Sequence, residues 1–505
     1  MSLNNISFVK GKGGLGRPLA GKDYISSLLF YIANGSLPSG FSTSVRNKAV
    51  FSVAEAESLG ILNNNNDETQ ATGVYTISTL GANGDSITIK FLEPNGTDVT
   101  LGSFVKTATE TTVTLLATAL TASINAGFYT HGYSATNTAG AITVTCRKGF
   151  GVYPNSGTPL TAVISGTVAG SVTTAFSGGV ASNQTVWHYH ISEFFRLQPK
   201  GKLWLGFYAV PSTYTFSEIQ TIQQATNGEI RQLGVFVNST ANTSAHTTSI
   251  QAICDTLDGL KMPLSVVLGG NIVAVSDLTT LTDLQTLSNN KVSVVIGQDG
   301  AGIGFELFKA TGKSVTTLGA TLGAIAFANV QEDIAWVGKF NLSNGVELET
   351  IVYANGNAST SVGLDDSLDV KRYIFCRKFP NLAGSYFNDS HTAISQSSDY
   401  AYIENNRVID KAIRGVDEAL LPSLNSPLLL NANGTLANST IAFLESQAVV
   451  ITNDMVRNSE ASAIGVSIDP NQNVATTSTV YVTIDIVPVG VARNIIVNIG
   501  FKTSL

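Results

Sequence analysis

Between Lys202 and Ala328 the chain alternates short, uninterrupted apolar runs with stretches whose apolar residues recur at helical spacing. KLWLGFYAV, QLGVFVN, LSVVLGG and VSVVIGQ are the apolar runs. FSEIQTIQQA, SIQAICDTLDGL, DLTTLTDLQTL and VTTLGATLGAIAFA lie between or after them and are expected to be helices. A strand that is apolar on both faces has to be covered on both faces. Strands joined through helices need crossover connections, so the pattern predicts a largely parallel sheet sandwiched by helices. This α/β unit is drawn over residues 181–360.

The flanking segments have other textures. At 505 residues the chain is long enough for about three or four domains at roughly 150 residues each. Residues 1–70 open with a short extended stretch, Ile6 to Val9, and a glycine-rich loop. A helix-like segment from Asp23 to Ala33 follows, and then VAEAESLGI, a helix stopped at Gly60. Four consecutive asparagines, Asn63 to Asn66, favour turns because their side chains compete for backbone hydrogen bonds. Residues 71–180 are rich in Thr, Val, Ile and Gly, with period-2 alternation in SITIKF and AITVTC. One helix, TVTLLATALTASIN, interrupts them, and the segment is expected to be an inserted, mainly β domain. In residues 361–505, ENNRVIDKAIRGVDEALL puts Val408, Ile409, Ala412, Ile413, Val416 and Leu420 on one helical face. Arg407, Asp410, Lys411, Arg414, Asp417 and Glu418 lie on the other. A second helix is expected over Thr440 to Ala463, then the strands VYVTIDI and IIVNIGF.

Composition limits the partners. The charged fraction is 13% and the formal net charge −7, so no global positive field draws nucleic acid or an anionic membrane. Apolar runs stop short of the roughly 18–20 residues that span a bilayer, and MSLNNISFVKGKGG lacks the basic-then-apolar pattern of a secretion signal. Synthesis in the cytoplasm, without membrane insertion, is the expectation. Cys146, Cys254 and Cys376 lie far apart without CxxC spacing, and read as apolar fillers.

Motifs with possible chemistry are few. GKGGLG, from Gly11 to Gly16, has GxGxxG spacing but no following strand and acidic residue of a dinucleotide fold, and reads as a hinge. Gly312-Lys313-Ser314 ends like a phosphate-binding loop, but Leu307 stands where that loop needs glycine. WHYH, Trp187 to His190, is expected on a strand, with His188 and His190 on one face and only Glu193 nearby as a third ligand; a structural role is preferred over a metal. His131, His246 and His391 sit apart from any triad partner. The strand ends of the α/β unit carry only Asp299 as a titratable group. No catalytic, cofactor or metal site is assigned, although an α/β enzyme binding a nucleotide or metabolite stays open as the alternative.

An ordered set of features in the C-terminal third resembles the contractile tail sheath proteins of phages and related injection systems. These are the Asp399-Tyr400 to Arg407 run, Asp410-Lys411, Asp469-Pro470 with Gln472-Asn473-Val474, and the Pro488-Val489-Gly490 turn before the last strand. GKGGLGRP and VAEAESLGI are similar to the N-terminal part of the same family. The resemblance implies a sheath-type core with terminal strands for β-augmentation between subunits, carrying the inserted β domain and the parallel-sheet α/β domain. It implies inter-subunit strands at Ile6, Ser7, Phe8 and Val9 and at Ile495, Ile496, Val497, Asn498, Ile499, Gly500 and Phe501. Hinges are implied at Gly11, Gly13, Gly14, Gly16, Pro488 and Gly490. The charged face of the 404–421 helix, Arg407, Asp410, Lys411, Arg414, Asp417 and Glu418, is expected to touch an inner tube. The implied partners are further copies in a helical homo-oligomer of stacked hexameric rings, the inner tube protein, and baseplate and tail-terminator proteins. The implied place is a virion tail assembled in a bacterial host's cytoplasm, and no cofactor is implied.

Overall fold

The structure is a computed structural model that describes residues 22–33, 36–359 and 363–501. At its centre lies a six-stranded sheet in the order Val292–Val295, Ser265–Gly269, Gln232–Phe236, Ser26–Tyr31, Leu203–Tyr208, Asn47–Val50. Every neighbouring pair is parallel except the last, in which Asn47–Val50 runs antiparallel to Leu203–Tyr208. The apolar runs sit where their composition requires. All five residues of Gln232–Phe236 are buried, as are all four of Val292–Val295. Leu28, Phe30, Leu205 and Phe207 pack to one side, against Trp187, Ile191 and Phe194 and against Leu318, Leu322 and Ile325. Leu29, Leu233, Val235 and Val266 pack to the other, with Ile219, Ile222, Ile250 and Leu257. Leu28 and Leu29 are sequence neighbours on opposite faces, the period-2 alternation of a strand covered on both sides.

Four expectations are corrected. The segment Asp23 to Ala33 is not helical: Ser26–Tyr31 is a central strand, paired on one edge with Leu203–Tyr208 and on the other with Gln232–Phe236. Two long-range ladders outweigh the helix preference of its leucines, and the 181–360 unit therefore takes two of its strands from the first 70 residues. WHYH lies not on a strand but in the helix Asn183–Leu197, where Val186, Trp187, His190, Ile191 and Phe194 form the buried stripe. Ser182 caps that helix, its hydroxyl accepting from the Thr185 N–H at 3.2 Å, and the Asp67 carboxylate accepts from the Asn183 N–H at 2.9 Å. DLTTLTDLQTL makes two short 3-10 turns, Leu278–Thr280 and Leu284–Thr286, because Asp277 and Asp283 each accept a backbone N–H two residues on. The second C-terminal helix ends at Arg457, and Ala463–Ser467 is a strand paired with Thr483–Val487.

Residues 71–180 hold a four-stranded and a three-stranded antiparallel sheet whose strands interleave in sequence, with the helix Val113–Ala126 following the strand Asp98–Val105. Their core is their own: Tyr75, Ile87, Phe91, Leu116, Leu120 and Ile142 cluster without a residue of the central sheet. Thr69 and Val180 exchange backbone hydrogen bonds of 3.0 and 2.9 Å, so the insert enters and leaves at one point.

The tightest contact in the α/β unit is between the helices Asn183–Leu197 and Leu318–Phe327. A Cβ on Gly319 would stand 2.1 Å from the His190 carbonyl oxygen, and one on Gly323 would stand 2.8 Å from that of Phe194. Neither backbone can yield without lifting a helix off the sheet. Gly319→Ala is expected to cost about 1–3 kcal/mol, the usual range for overpacking. A fall in the thermal midpoint checks this, and an unchanged midpoint contradicts the packing.

Candidate functional site

The helix Ile403–Leu420 is the element around which the C-terminal region is arranged. Glu404, Arg407, Lys411 and Arg414 recur at spacings of three and four and so share a stripe. The structure turns this stripe inward. The Arg407 guanidinium is buried and donates to the Asn329 and Ala328 carbonyls at 3.0 and 3.2 Å and to the Asp23 carbonyl at 3.3 Å. Lys411 lies 2.8 Å from the Asp23 carboxylate and 2.6 Å from Glu460, and Arg414 lies 3.2 Å from Asp23. Asp410 forms a buried ion pair with Lys291. Burial pulls the Arg407 guanidinium down to about 10. Burial also raises the Asp23 carboxyl, but Lys411, Arg414 and Arg407 outweigh this and hold it below its ordinary value.

Of the residues expected at an inner tube, Arg407, Asp410, Lys411 and Arg414 face the chain's own body, where each finds an opposite charge or a carbonyl, and Asp417 and Glu418 are exposed. Periodicity identifies residues that share a face; it does not say which face is inside. The partners Asp23 and Lys291 come from elements more than a hundred residues away.

The opposite stripe is correspondingly uncovered. Val408 and Ala412 pack on Val330 and Met455, whereas Ile409, Ile413, Val416 and Leu420 line an open groove of about 940 Å³. Val480, Val482, Ile484 and Ile486 line it too, together with Leu424 and Leu428. The hairpin of Ala463–Ser467 and Thr483–Val487 forms a sheet of only two strands, so both outer edges lack a partner among the described residues.

Among the described residues beyond Gly490, ion pairs hold the chain at Arg493. The Arg493 Nε lies 3.0 Å from Asp389, and its Nη2 lies 3.1 Å from Asp333 and 2.5 Å from Glu404. The guanidinium carbon stands 3.4 Å from the centre of the Tyr402 ring. Nothing in the sequence pattern singled out this cluster, because Arg493 is a lone cation in an apolar stretch and its acids lie 89 to 160 residues away. Among the described residues after Arg493, none makes a hydrogen bond or ion pair to the body. Ile495, Ile496, Val497, Ile499 and Phe501 are exposed, Ile499 at 92%, and none of residues 495–501 pairs as a strand among the described residues. Of the expected hinges, Pro488 accepts a hydrogen bond from the Ser462 hydroxyl at 2.9 Å, and a Cβ on Gly490 would meet only open space. Ile6, Ser7, Phe8, Val9, Gly11, Gly13, Gly14 and Gly16 lie outside the described residues.

The motifs weighed for chemistry have structural partners. Gly312 ends the helix Ile303–Thr311 in the left-handed region, at φ 61°, and the Ser314 hydroxyl donates to the Ala354 carbonyl at 2.6 Å. Burial pulls His190 down to about 3, and the His188 ring sits 2.9 Å from Glu57. Asp299 is fully buried, and the Glu347 carboxyl beside it accepts from the Ile303 N–H at the start of that same helix. Among the described residues no three His, Cys, Asp or Glu side chains converge as a metal site, and no helix is long and apolar enough to cross a membrane.

The description of the N-terminal domain of DUF2586 matches residues 58–391, and that of its C-terminal domain matches residues 399–505. No curated protein matches the chain. Among solved structures it is similar to the helical sheath of the anti-feeding prophage in the contracted state, at 15% identity and TM-score 0.44, over 62% of this chain and 81% of that one. It is also similar to a chain of the anti-feeding prophage baseplate, at 12% identity and TM-score 0.41, over 63% and 80%. A third likeness is to the sheath complex of the extracellular contractile injection system PVC in the contracted state, at 14% identity and TM-score 0.43, again over 63% and 80%.

The buried acids make stability depend on pH. Burial, with the Glu404 and Asp389 carboxylates, pushes Asp333 up to about 8 against the pull of Arg493, and burial beside Asp299 pushes Glu347 up to about 7. A carboxyl raised in the folded state contributes stability that is fully present below its unfolded value and is lost as pH rises through the folded one. The thermal midpoint is expected to fall as pH rises from about 4 to about 8 and to level off above that, with Asp333→Asn flattening the slope. A midpoint that rises over this window contradicts the assignment.

Proposed function

We propose that this chain, which belongs to the DUF2586 family, is the subunit of a contractile tail sheath. It polymerises with further copies around an inner tube and contracts to drive the tube through a target envelope. The observation that carries the reading is the exposed run from Ile495 to Phe501. Five large apolar side chains are exposed and the backbone of the run makes no strand pairing among the described residues, with Arg493 fixing the point of departure. Such an edge is a template for strand pairing. The two-stranded hairpin beside the apolar groove offers the complementary edge, and a second copy supplies both halves of the match.

Support also comes from the ordered C-terminal motifs by which the sequence resembles sheath proteins. The low charged fraction, 13%, suits a surface covered by neighbouring subunits. In this reading Ile6 to Val9 is lent in the same way, and Gly11 to Gly16 and Pro488 to Gly490 flex while the lattice stays connected. Contraction draws on the difference between two subunit packings, so it needs no nucleotide. The partners are the chain itself, an inner tube protein, and baseplate and terminator proteins, in a virion tail or a related particle. Asp417 and Glu418, on the exposed end of the 403–420 helix, are the residues of the expected tube contact still open to a partner.

Negative-stain microscopy of the purified chain is expected to reveal long striated tubes. Removing residues 495–505 keeps Arg493 on its acids and deletes the exposed run. That truncation should stay soluble with a thermal midpoint near that of the full chain, yet form no tubes. Tubes of normal length from the truncated chain contradict the assignment.

A further inference from the structure

Helix Ile403–Leu420 holds two separate parts of the chain by charge. Its first turn presents Glu404 to Arg493, the last residue anchored before the exposed run. One to three turns further along the same stripe, Arg407, Lys411 and Arg414 converge on Asp23, which precedes the central strand Ser26–Tyr31. The two contacts have opposite polarity. At one end the helix supplies the anion and the arm the cation; at the other the helix supplies cations and the incoming chain the anion.

The Arg493 end is more than a surface ion pair. Asp333 and Asp389 come from two loops and Glu404 from the helix, and their side chains are 7%, 13% and 3% exposed. Each carboxylate is oriented by a second donor. Ser390 donates its hydroxyl to Glu404 at 2.5 Å and its N–H to Asp389 at 2.7 Å, and the Ala335 N–H donates to Asp333 at 2.8 Å. The Tyr402 ring lies against Arg493 on this site and is also approached by the Arg372 guanidinium at 4.7 Å. Three acids and a ring around one guanidinium fix both its position and its direction, which a lysine ammonium would match only as a point charge. Two residues later every side chain is exposed.

We propose that Arg493 is a positioning residue for strand exchange, and that helix 403–420 roots the C-terminal run so that it leaves the body at a set angle. The inference rests on the sheath reading for what the exposed run does, but not for how it is held. Freeing the root adds backbone and side-chain freedom that pairing must then remove. The loss of order in one or two residues corresponds to about a tenfold weaker association.

The test separates the two claims. In the monomer, spin labels at Ile495→Cys and at the exposed Ser397→Cys report the spread of distances across the root; the three native cysteines are buried. Arg493→Gln should widen that spread about twofold, and Arg493→Lys should recover part of it. Because Arg493→Gln strands buried acids, a second variant, Arg493→Gln with Asp333→Asn, Asp389→Asn and Glu404→Gln, removes the charge imbalance. It should melt near the unsubstituted protein, show the same widened spread, and require about tenfold more protein to form tubes. A distance distribution unchanged in both variants overturns the inference, as does tube formation by the fourfold variant at the normal concentration. Widening in the monomer with no tubes from the unsubstituted chain leaves the root standing and refutes the sheath reading.

Discussion

The inward stripe of charge on helix 403–420 is the constraint from which the C-terminal architecture follows. A charge taken out of water is costly unless it meets a partner, and losing one partner of a buried pair costs about 3–5 kcal/mol. That is a large share of the roughly 5–15 kcal/mol that keeps a domain folded. Once Asp23, Lys291 and Glu460 have claimed Lys411, Arg414 and Asp410, the helix cannot roll to bury its apolar side instead. Ile413, Val416 and Leu420 are therefore left lining a groove rather than filling a core. An ordinary monomer would place the two stripes the other way round. The inversion makes sense where another polypeptide completes the fold, because apolar surface left open on one subunit is surface available to the next.

Much of the molecule was legible in the sequence. The parallel sheet followed from QLGVFVN, LSVVLGG and VSVVIGQ, whose continuous apolar character admits few other environments. The inserted β segment followed from alternation in SITIKF and AITVTC, and the 403–420 helix from its period. What stayed hidden depended on distant partners. Ser26–Tyr31 reads as a helix because its leucines favour one, and only the two strands flanking it, from residues 203–236, make it a strand. WHYH is too short for a period of two to be told from one of 3.6, and the aromatic stripe continuing through Phe194 decides the matter. Asp277 and Asp283 break an apparent helix by local side-chain bonds that a hydrophobic count does not register.

The candidate site was half visible for the same reason. The exposed run Ile495–Phe501 stood out as a patterned segment with nothing nearby to pair it. The point that holds it did not, since a single arginine acquires meaning only through acids brought from three other places in the chain. The direction of the charged stripe was likewise a question of tertiary context. Across the described part of the chain, the unfinished surfaces are adjacent in type: a two-stranded hairpin with free edges, an apolar groove beside it, and an unpaired extended run.

A reconstruction by electron cryomicroscopy of the polymer formed by the full chain tests this account most directly. The account predicts density for residues 495–501 continuing the Thr483–Val487 hairpin of a neighbouring copy, with Arg493 still seated on Asp333, Asp389 and Glu404. Residues 495–501 folded onto the hairpin of their own subunit, or a polymer in which no strand passes between copies, would contradict it.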